Sequence, residues 1–357
     1  MRLLYHRGRV GLCAILRAMG MAPGDEVVIP AYTCVAVPEG VIAAGGRPVF
    51  ADLEKDGFNM DPGQLESCFS SRTRAVVIQH TFGLSADMEH IGAVALKREV
   101  PVIEDCCHLR VFDWQRMPDE LHGIAAFFSY EWGKPVVAGV GGEVVCKDSS
   151  LLAQLGANYS MYKRPSILAS FRLATQYYAF RLLYHPRRYW SVRNWFRRLS
   201  RLRVAVGNYN IAGDGQAPPG YDMRMDSLAV GRLEASEGAK PHRDWSTAYR
   251  ETITCEGVRH PSPIPGRKYV YARYPMRVSN KEVLLGLARA RGLEMADWYS
   301  SPIHPLTGKE LETVGYQEGS CPNAEERCRE TVTLPVNEKV NMSYVKAVAA
   351  MCNEYGG

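Results

Sequence analysis

VPVIEDCCH, residues 100–108, runs through an apolar stretch with no polar alternation and stops on two adjacent carboxylates, Glu104 and Asp105. A run of that kind reads as a strand buried on both faces, as in a parallel sheet. The same texture recurs on either side, in EVVIP (26–30), RPVFAD (47–52), RAVVIQH (74–80), AAFFSY (125–130) and GEVVCKD (142–148). Between these runs VGLCAILRAMG, PEGVIAAGG and MEHIGAVALKRE carry apolar residues at helical spacing. Strands alternating with helices predict an α/β fold wound around a mainly parallel sheet, with ligands at the carboxyl ends of its strands.

Beyond residue 150 the texture changes. From about 151 to 206 the chain is aromatic, arginine-rich and helical in pattern, with breaks near Pro165 and Pro186. After GDGQAPPG (213–220), a helix is expected from about Asp226, then a strand in YVYARYPMRVS (269–279), a helix in KEVLLGLARARG (281–292), a strand in TVTLPV (331–336) and a terminal helix. The expected division is a large domain over 1–240, carrying the insert, and a smaller α+β domain over 241–357.

The bulk numbers fit that division. A chain of 357 residues, 46% hydrophobic, is long enough for about two domains with substantial cores. Its ten cysteines are scattered without a repeated C-x-x-C, which disfavours both a disulfide framework and a zinc site and suits a cytoplasmic setting. Arginines at 7, 9 and 17 interrupt any signal-peptide core, and no apolar run reaches the ~18 residues of a membrane span. The net charge of +5 is local in origin. Residues 149–213 hold eleven Lys and Arg and no Asp or Glu, so the remainder is net acidic and nucleic-acid binding by the whole protein is not implied.

The chemistry concentrates at two strand ends. Asp105 closes one strand, and SYEWGKPVVAGVGGEVV sets Ser129 and Lys134 just past another, ahead of Gly139, Gly141 and Gly142. Asp105 as a helix cap and Lys134 as a surface turn residue are the plain alternatives. Together, however, the pair suits a Schiff base to an aldehyde cofactor, with an anion keeping the pyridine nitrogen protonated and the lysine moving a proton as base and acid. A phosphate site is the third requirement. HRGRVGLCAIL offers a glycine-led helix start at Gly8, Arg9 and Val10, to which Ser129 adds a hydroxyl. Tyr32 and Thr33, at the end of another strand, are expected near the same place.

These blocks, in their order, resemble the DegT/DnrJ/EryC1/StrS sugar aminotransferase family of fold-type I pyridoxal-phosphate enzymes. The resemblance runs through PGDEVVIPAYTCVAVPEGVIAAGGRPVFADLE (23–54), HTFGLSADMEHI (80–91), VIEDCCH (102–108), FFSYEWGK (127–134), GVGGEVV (139–145), GYDMRMDSLAVGRLE (220–234), SPIHPL (301–306), CPNAE (321–325) and TLPV (333–336). It implies a seven-stranded, mainly parallel sheet between helices and a small C-terminal domain. Lys134 would hold pyridoxal 5'-phosphate covalently, Asp105 would bind the ring nitrogen, His108 the phenolic oxygen, and Cys107 would pack on a ring face. Gly8, Arg9, Val10 and Ser129 would hold the phosphate. In a homodimer with shared active sites, Asp222 and Arg224 would reach across, and His304 would line the sugar pocket. The implied reaction moves an amino group from L-glutamate, or glutamine, to a keto-sugar, usually nucleotide-linked, in two half-reactions through a pyridoxamine form. A lipid-linked or cyclitol ketone and a non-catalytic scaffold are the other readings. Dehydratases of the family carry histidine where Lys134 stands, which disfavours that chemistry.

Four positions depart from the family pattern. The lead-in ahead of the phosphate loop is missing. Arg9-Val10 replaces glycine-threonine, Asp222 replaces asparagine and Val140 replaces glutamate. The insert, over 160–205, is expected either to enlarge the dimer interface as a helical hairpin or to contact anionic lipid or a diphosphate-bearing substrate, because it interleaves aromatic residues with arginine.

Overall fold

The computed structural model describes residues 2–109, 121–201, 221–236, 244–262 and 270–355. The first half forms β1 (Leu3–Tyr5), α1 (Gly8–Ala18), β2 (Glu26–Pro30), β3 (Thr33–Cys34), α2 (Ala36–Ala43), β4 (Arg47–Ala51), β5 (Thr73–Gln79), α3 (Met88–Lys97), β6 (Val102–Asp105), β7 (Ala125–Ser129) and β8 (Gly142–Cys146). Seven of these strands make one sheet in the order β1-β8-β7-β6-β5-β2-β4. From β4 through β7 every neighbouring pair is parallel, whereas β8 runs antiparallel to β7 and β1 antiparallel to β8. β2, β6 and β7 are buried along their whole length, the state that their uninterrupted apolar runs predict.

The order has a direct consequence for chemistry. β6 and β7 are parallel neighbours, with Asp105 paired to Phe127, so their carboxyl ends meet at one sheet edge. The chain returns along β8 antiparallel to β7, with Ser129 opposite Gly142. The turn between them, which carries Lys134, therefore stays at that same edge. α1 lies close beneath it: a Cβ at Gly11 would sit 2.9 Å from Val144 Cγ2, so only glycine permits this separation.

After β8 come α4 (Ser149–Tyr159), α5 (Ile167–Leu183) and α6 (Tyr189–Arg201), then α7 (Ser227–Ser236). Asp148 caps α4 through the Leu151 amide at 2.6 Å, and Ser166 caps α5 through Ala169 at 3.3 Å. Pro165 and Pro186 fall between helices, where the missing amide costs nothing. The expected turn at 213–220 and the expected domain boundary at 240 lie outside the described residues.

The C-terminal half forms α8 (Ser246–Thr252), β9 (Val258–Arg259), β10 (Arg273–Val278), α9 (Lys281–Ala290), β11 (Ile303–His304), α10 (Pro322–Glu330), β12 (Thr331–Pro335) and α11 (Met342–Tyr355). β12, β10 and β9 make a small antiparallel sheet over a core that includes Tyr249, Tyr274, Met276, Leu284, Tyr344 and Val348. β11 pairs in parallel with β3, Ile303 opposite Thr33. This two-residue pairing, together with the cluster of Tyr32, Phe58 and Phe82 against Tyr299, Ile303 and Leu306, brings the segment around residue 298 onto the large sheet's edge. No helix among the described residues is long and apolar enough to cross a membrane.

Candidate active site

One pocket opens at the carboxyl ends of β6 and β7. Seven of the residues singled out from sequence line it: Gly8, Arg9, Asp105, Cys107, His108, Ser129 and Lys134. The α1 N-terminus points its positive end into the pocket, and a Cβ on Gly8 would come within 3.0 Å of Phe128 O and 3.2 Å of Ser129 Cβ. A glycine there keeps the backbone of α1 against the end of β7. Arg9 forms a buried ion pair with Glu39. Burial pushes the Glu39 carboxyl up, the arginine opposing it, while Arg9's own tendency to lose its proton on burial is outweighed by Glu39.

The polar groups are set with a definite handedness of donor and acceptor. Asp105 Oδ1 accepts the Cys107 amide at 2.9 Å. Burial raises the Asp105 pKa, and the nearby Lys134 ammonium pulls it back down. His108 Nδ1 accepts the Phe82 amide at 3.1 Å, and burial, reinforced by Lys134 and Arg273, holds the ring pKa well below its ordinary value. The ring is thus neutral with its proton on Nε2. That Nε2, and Ser129 Oγ as well, are buried and find no hydrogen-bond partner among the described residues. Leaving such groups unpaired costs about 1–3 kcal/mol each, which marks both as ligand-facing. Phe82 is held in left-handed backbone at φ 57° while its ring stacks on His108 at 6.0 Å and 8°. A strained residue that delivers its amide to a histidine is the kind of exception that a site explains. Burial raises the thiol pKa values of Cys106 and Cys107 well above normal, so both are packing residues and poor nucleophiles.

The remaining walls escaped the sequence reading. They include Gln79, Glu131, Trp132, Trp298 and Tyr299. Glu131 is paired with Arg7. Trp132 packs on Phe180 at 4.2 Å and Tyr177 at 5.8 Å, both on α5. On the other side, the Arg273 guanidinium lies 5.4 Å from the Trp298 ring and pairs with Glu294 at 3.0 Å, and Glu294 also accepts Tyr184 O–H at 2.6 Å. The insert therefore braces both aromatic walls. Glu131 and Trp132 lie in the SYEWGK block, but Trp298 and Tyr299 reach the pocket through the β3–β11 pairing and the aromatic cluster beside it.

Six expected residues do not line the pocket. Val10 faces the core at 1% exposure and its amide turns back to Arg7 O at 3.1 Å. Thr33 lies behind Gln79, donating to its Oε1 at 2.7 Å. Tyr32 stands edge-on to Tyr299 at 5.1 Å, and its hydroxyl accepts the Tyr299 amide at 3.3 Å, so it supports the wall from behind. His304 is one layer further out, 2.8 Å from Ser300 Oγ and against the Tyr299 ring. Asp222 pairs with Lys163 at 2.8 Å, and Arg224 donates to Tyr159 O at 2.7 Å while covering that ring. Val140, in place of a family glutamate, is buried among Phe128, Tyr130, Leu173 and Ala229.

A sheet of this order, with a lysine and a carboxylate at adjacent strand ends, defines the fold-type I class of pyridoxal-phosphate transferases. Residues 6–353 match the DegT/DnrJ/EryC1/StrS aminotransferase family, and the chain belongs to it. It is thereby a pyridoxal-phosphate-dependent transaminase, and structural relatives hold that cofactor in its pyridoxamine form. The chain is similar to a pleiotropic regulatory protein of Geobacillus stearothermophilus, 27% identical over 90% of this chain and 76% of the relative. It is also similar to dTDP-3-amino-3,6-dideoxy-alpha-D-galactopyranose transaminase of Aneurinibacillus thermoaerophilus, 25% identical over 98% of this chain and 84% of that one. In fold it resembles a DegT DnrJ EryC1 StrS aminotransferase from Brucella abortus, with TM-score 0.70 and 20% identity over 100% of this chain and 86% of the other.

Proposed function

We propose that this chain binds pyridoxal 5'-phosphate in the pocket at the ends of β6 and β7 and moves an amino group from L-glutamate, or glutamine, to a keto-sugar, usually one linked to a nucleotide. The observation that carries the reading is the set of unmet polar groups around Lys134: His108 Nε2 and Ser129 Oγ, both buried and unpaired among the described residues. These residues fit the cofactor, whose polar periphery would satisfy each of them. Asp105 would face the ring nitrogen, His108 Nε2–H the phenolic oxygen, and Ser129 with the α1 N-terminus the phosphate. Arg9 stands where the family has glycine, and its cation is neutralised by the buried pair with Glu39, so the phosphate would rest on the backbone donors of α1 and on Ser129.

The cofactor, when bound, supplies an aldehyde that takes up the amino group and a cationic ring that draws off electrons. Everything else falls to the chain. Asp105 holds a proton at the ring nitrogen, because a carboxylate in a buried site stabilises a facing cation strongly. His108 stays neutral and directs its Nε2–H inward, its other nitrogen being fixed by Phe82. Lys134 Nζ, as the free amine, takes a proton from the substrate carbon and returns it on the opposite side of the reaction. Trp132, Trp298 and Tyr299 exclude water and offer flat apolar faces suited to a sugar ring.

The reading includes a homodimer. Asp222 and Arg224 lie outside their own chain's pocket, as residues that serve a neighbouring subunit do. The dTDP-sugar relative supports a nucleotide-linked acceptor. The test is reconstitution with pyridoxal phosphate: a visible absorption band should form, bleach on adding L-glutamate, and be absent in Lys134→Ala. A chain that folds, forms no band and leaves L-glutamate unchanged would be a scaffold instead.

A further inference from the structure

Helix α5 carries large apolar residues on two opposite faces, with Arg172 and Gln176 on a flank between them, whereas a surface helix normally has one apolar stripe. Its inner face is covered: Leu173, Ala174 and Tyr177 are buried, and Tyr177 and Phe180 pack on Trp132. The outer face is not. Ile167 is 90% exposed, Leu168 78%, Phe171 68%, Tyr178 62% and Leu182 82%. At about 100° of rotation per residue these five side chains share one side of the helix along its whole length. No part of the described chain covers them.

What surrounds this stripe limits what can cover it. Residues 149–213 contain eleven Lys and Arg and no acidic residue. At the carboxyl end of the stripe, Leu182 opens into a groove with Tyr184, His185, Arg187, Arg188 and Lys339. On α6, Trp195 is 66% exposed, and Arg197 and Arg198 are exposed beside it. A two-fold partner docking through the same face would set one predominantly basic surface against another, with the acid Glu338 at its edge beside Arg181 and Lys339. A surface that is hydrocarbon within and anionic at its boundary matches the stripe, the exposed tryptophan and the basic groove together.

We infer that the outer face of α5, with the basic groove at its end, is a docking surface for an anionic lipid bilayer. Leu168, Phe171, Tyr178 and Leu182 enter the headgroup boundary, and Arg187, Arg188 and Lys339 receive lipid phosphates. Contact is peripheral, since no described helix can span. Because α5 also packs on Trp132, the active-site pocket is held next to the membrane.

The experiment is co-sedimentation of the holoenzyme with vesicles of phosphatidylglycerol mixed with phosphatidylcholine, and with vesicles of phosphatidylcholine alone. The expected result is binding to the mixed vesicles only, weakened by salt. A Leu168→Glu, Phe171→Glu, Leu182→Glu variant should lose roughly tenfold or more of that binding while keeping its melting temperature and its bound cofactor. Arg187→Gln with Arg188→Gln should weaken binding as well. Should the triple variant not fold, Phe171→Ser alone decides the point. Failure of the holoenzyme to bind, equal binding to both vesicles, or unchanged binding by the variants overturns the inference. So does a triple variant that changes only the oligomeric state, which would make this face a subunit interface.

Discussion

Among the described residues, the pocket and the outside of α5 both leave groups unmet, and they are opposite in kind. In the pocket the unmet groups are polar and buried, His108 Nε2 and Ser129 Oγ. On the outside of α5 they are apolar and exposed, led by Ile167 at 90% and Leu182 at 82%. Each imposes a cost of similar order, about 1–3 kcal/mol for an unpaired buried polar atom and about 1.5–3 kcal/mol for a large apolar side chain left in water. The chain satisfies neither by itself. A polar deficit calls for a ligand rich in hydrogen-bonding groups, and an apolar surplus for a low-dielectric surface, so the two regions specify different partners.

The pocket half of that contrast breaks most sharply at Lys134. Lys134→Ala should lower the transamination rate by on the order of a thousandfold or more, with the melting temperature kept, as single-turnover assays would register. Asp105→Asn should cost on the order of a hundredfold, because an amide cannot hold a facing ring nitrogen in its cationic form. Near-normal turnover in Lys134→Ala would falsify the proposed chemistry.

The two faces of α5 can be separated by stability alone. Tyr177 is 6% exposed, stacks on Trp132 and accepts from Arg181, so Tyr177→Ala should cost about 3 kcal/mol in denaturant unfolding. Leu182→Ala, on the outer face of the same helix, is expected to stay within about 0.5 kcal/mol of the parent. Equal losses at both positions would mean that something covers the outer face in the folded protein.

Acid sensitivity gives an effect comparable with the inner-face loss. Burial lowers the pKa of His6 and of His304 to about 4, from an ordinary 6.5. Between those values the unfolded chain binds protons that the folded chain refuses. The contribution is therefore full above about pH 6.5 and is lost as pH falls toward 4, up to about 3 kcal/mol for each ring. Melting curves across that window should show the decline, and His304→Asn should flatten it. A variant with an unchanged slope would place the sensitivity elsewhere.

Much of the large sheet was legible because a strand buried on both faces has to be an unbroken apolar run, as β2, β6 and β7 are. The strands that escaped, β1, β3, β9 and β11, are two or three residues long and exist through partners far away in sequence. The same holds in the pocket. Asp105, Ser129 and Lys134 sit at the ends of recognisable strands, whereas Trp298 and Tyr299 look like any aromatic pair until β11 joins β3. Val10, Tyr32 and Thr33 were close in sequence to pocket residues yet do not line it: Val10 packs into the core, Tyr32 backs the Tyr299 wall and Thr33 bonds Gln79 from behind, placements that tertiary contacts set.

The sequence by itself determined the α/β winding, the strand ends that carry the carboxylate and the lysine, and the concentration of arginine in a segment without acids. These follow from local periodicity and composition. Only the tertiary structure decided that Phe82 fixes the His108 tautomer, that Arg273 and the insert brace the tryptophan walls, and which face of α5 is left bare. Those facts depend on contacts between residues tens to hundreds of positions apart, and such contacts are set by packing, which no local pattern records.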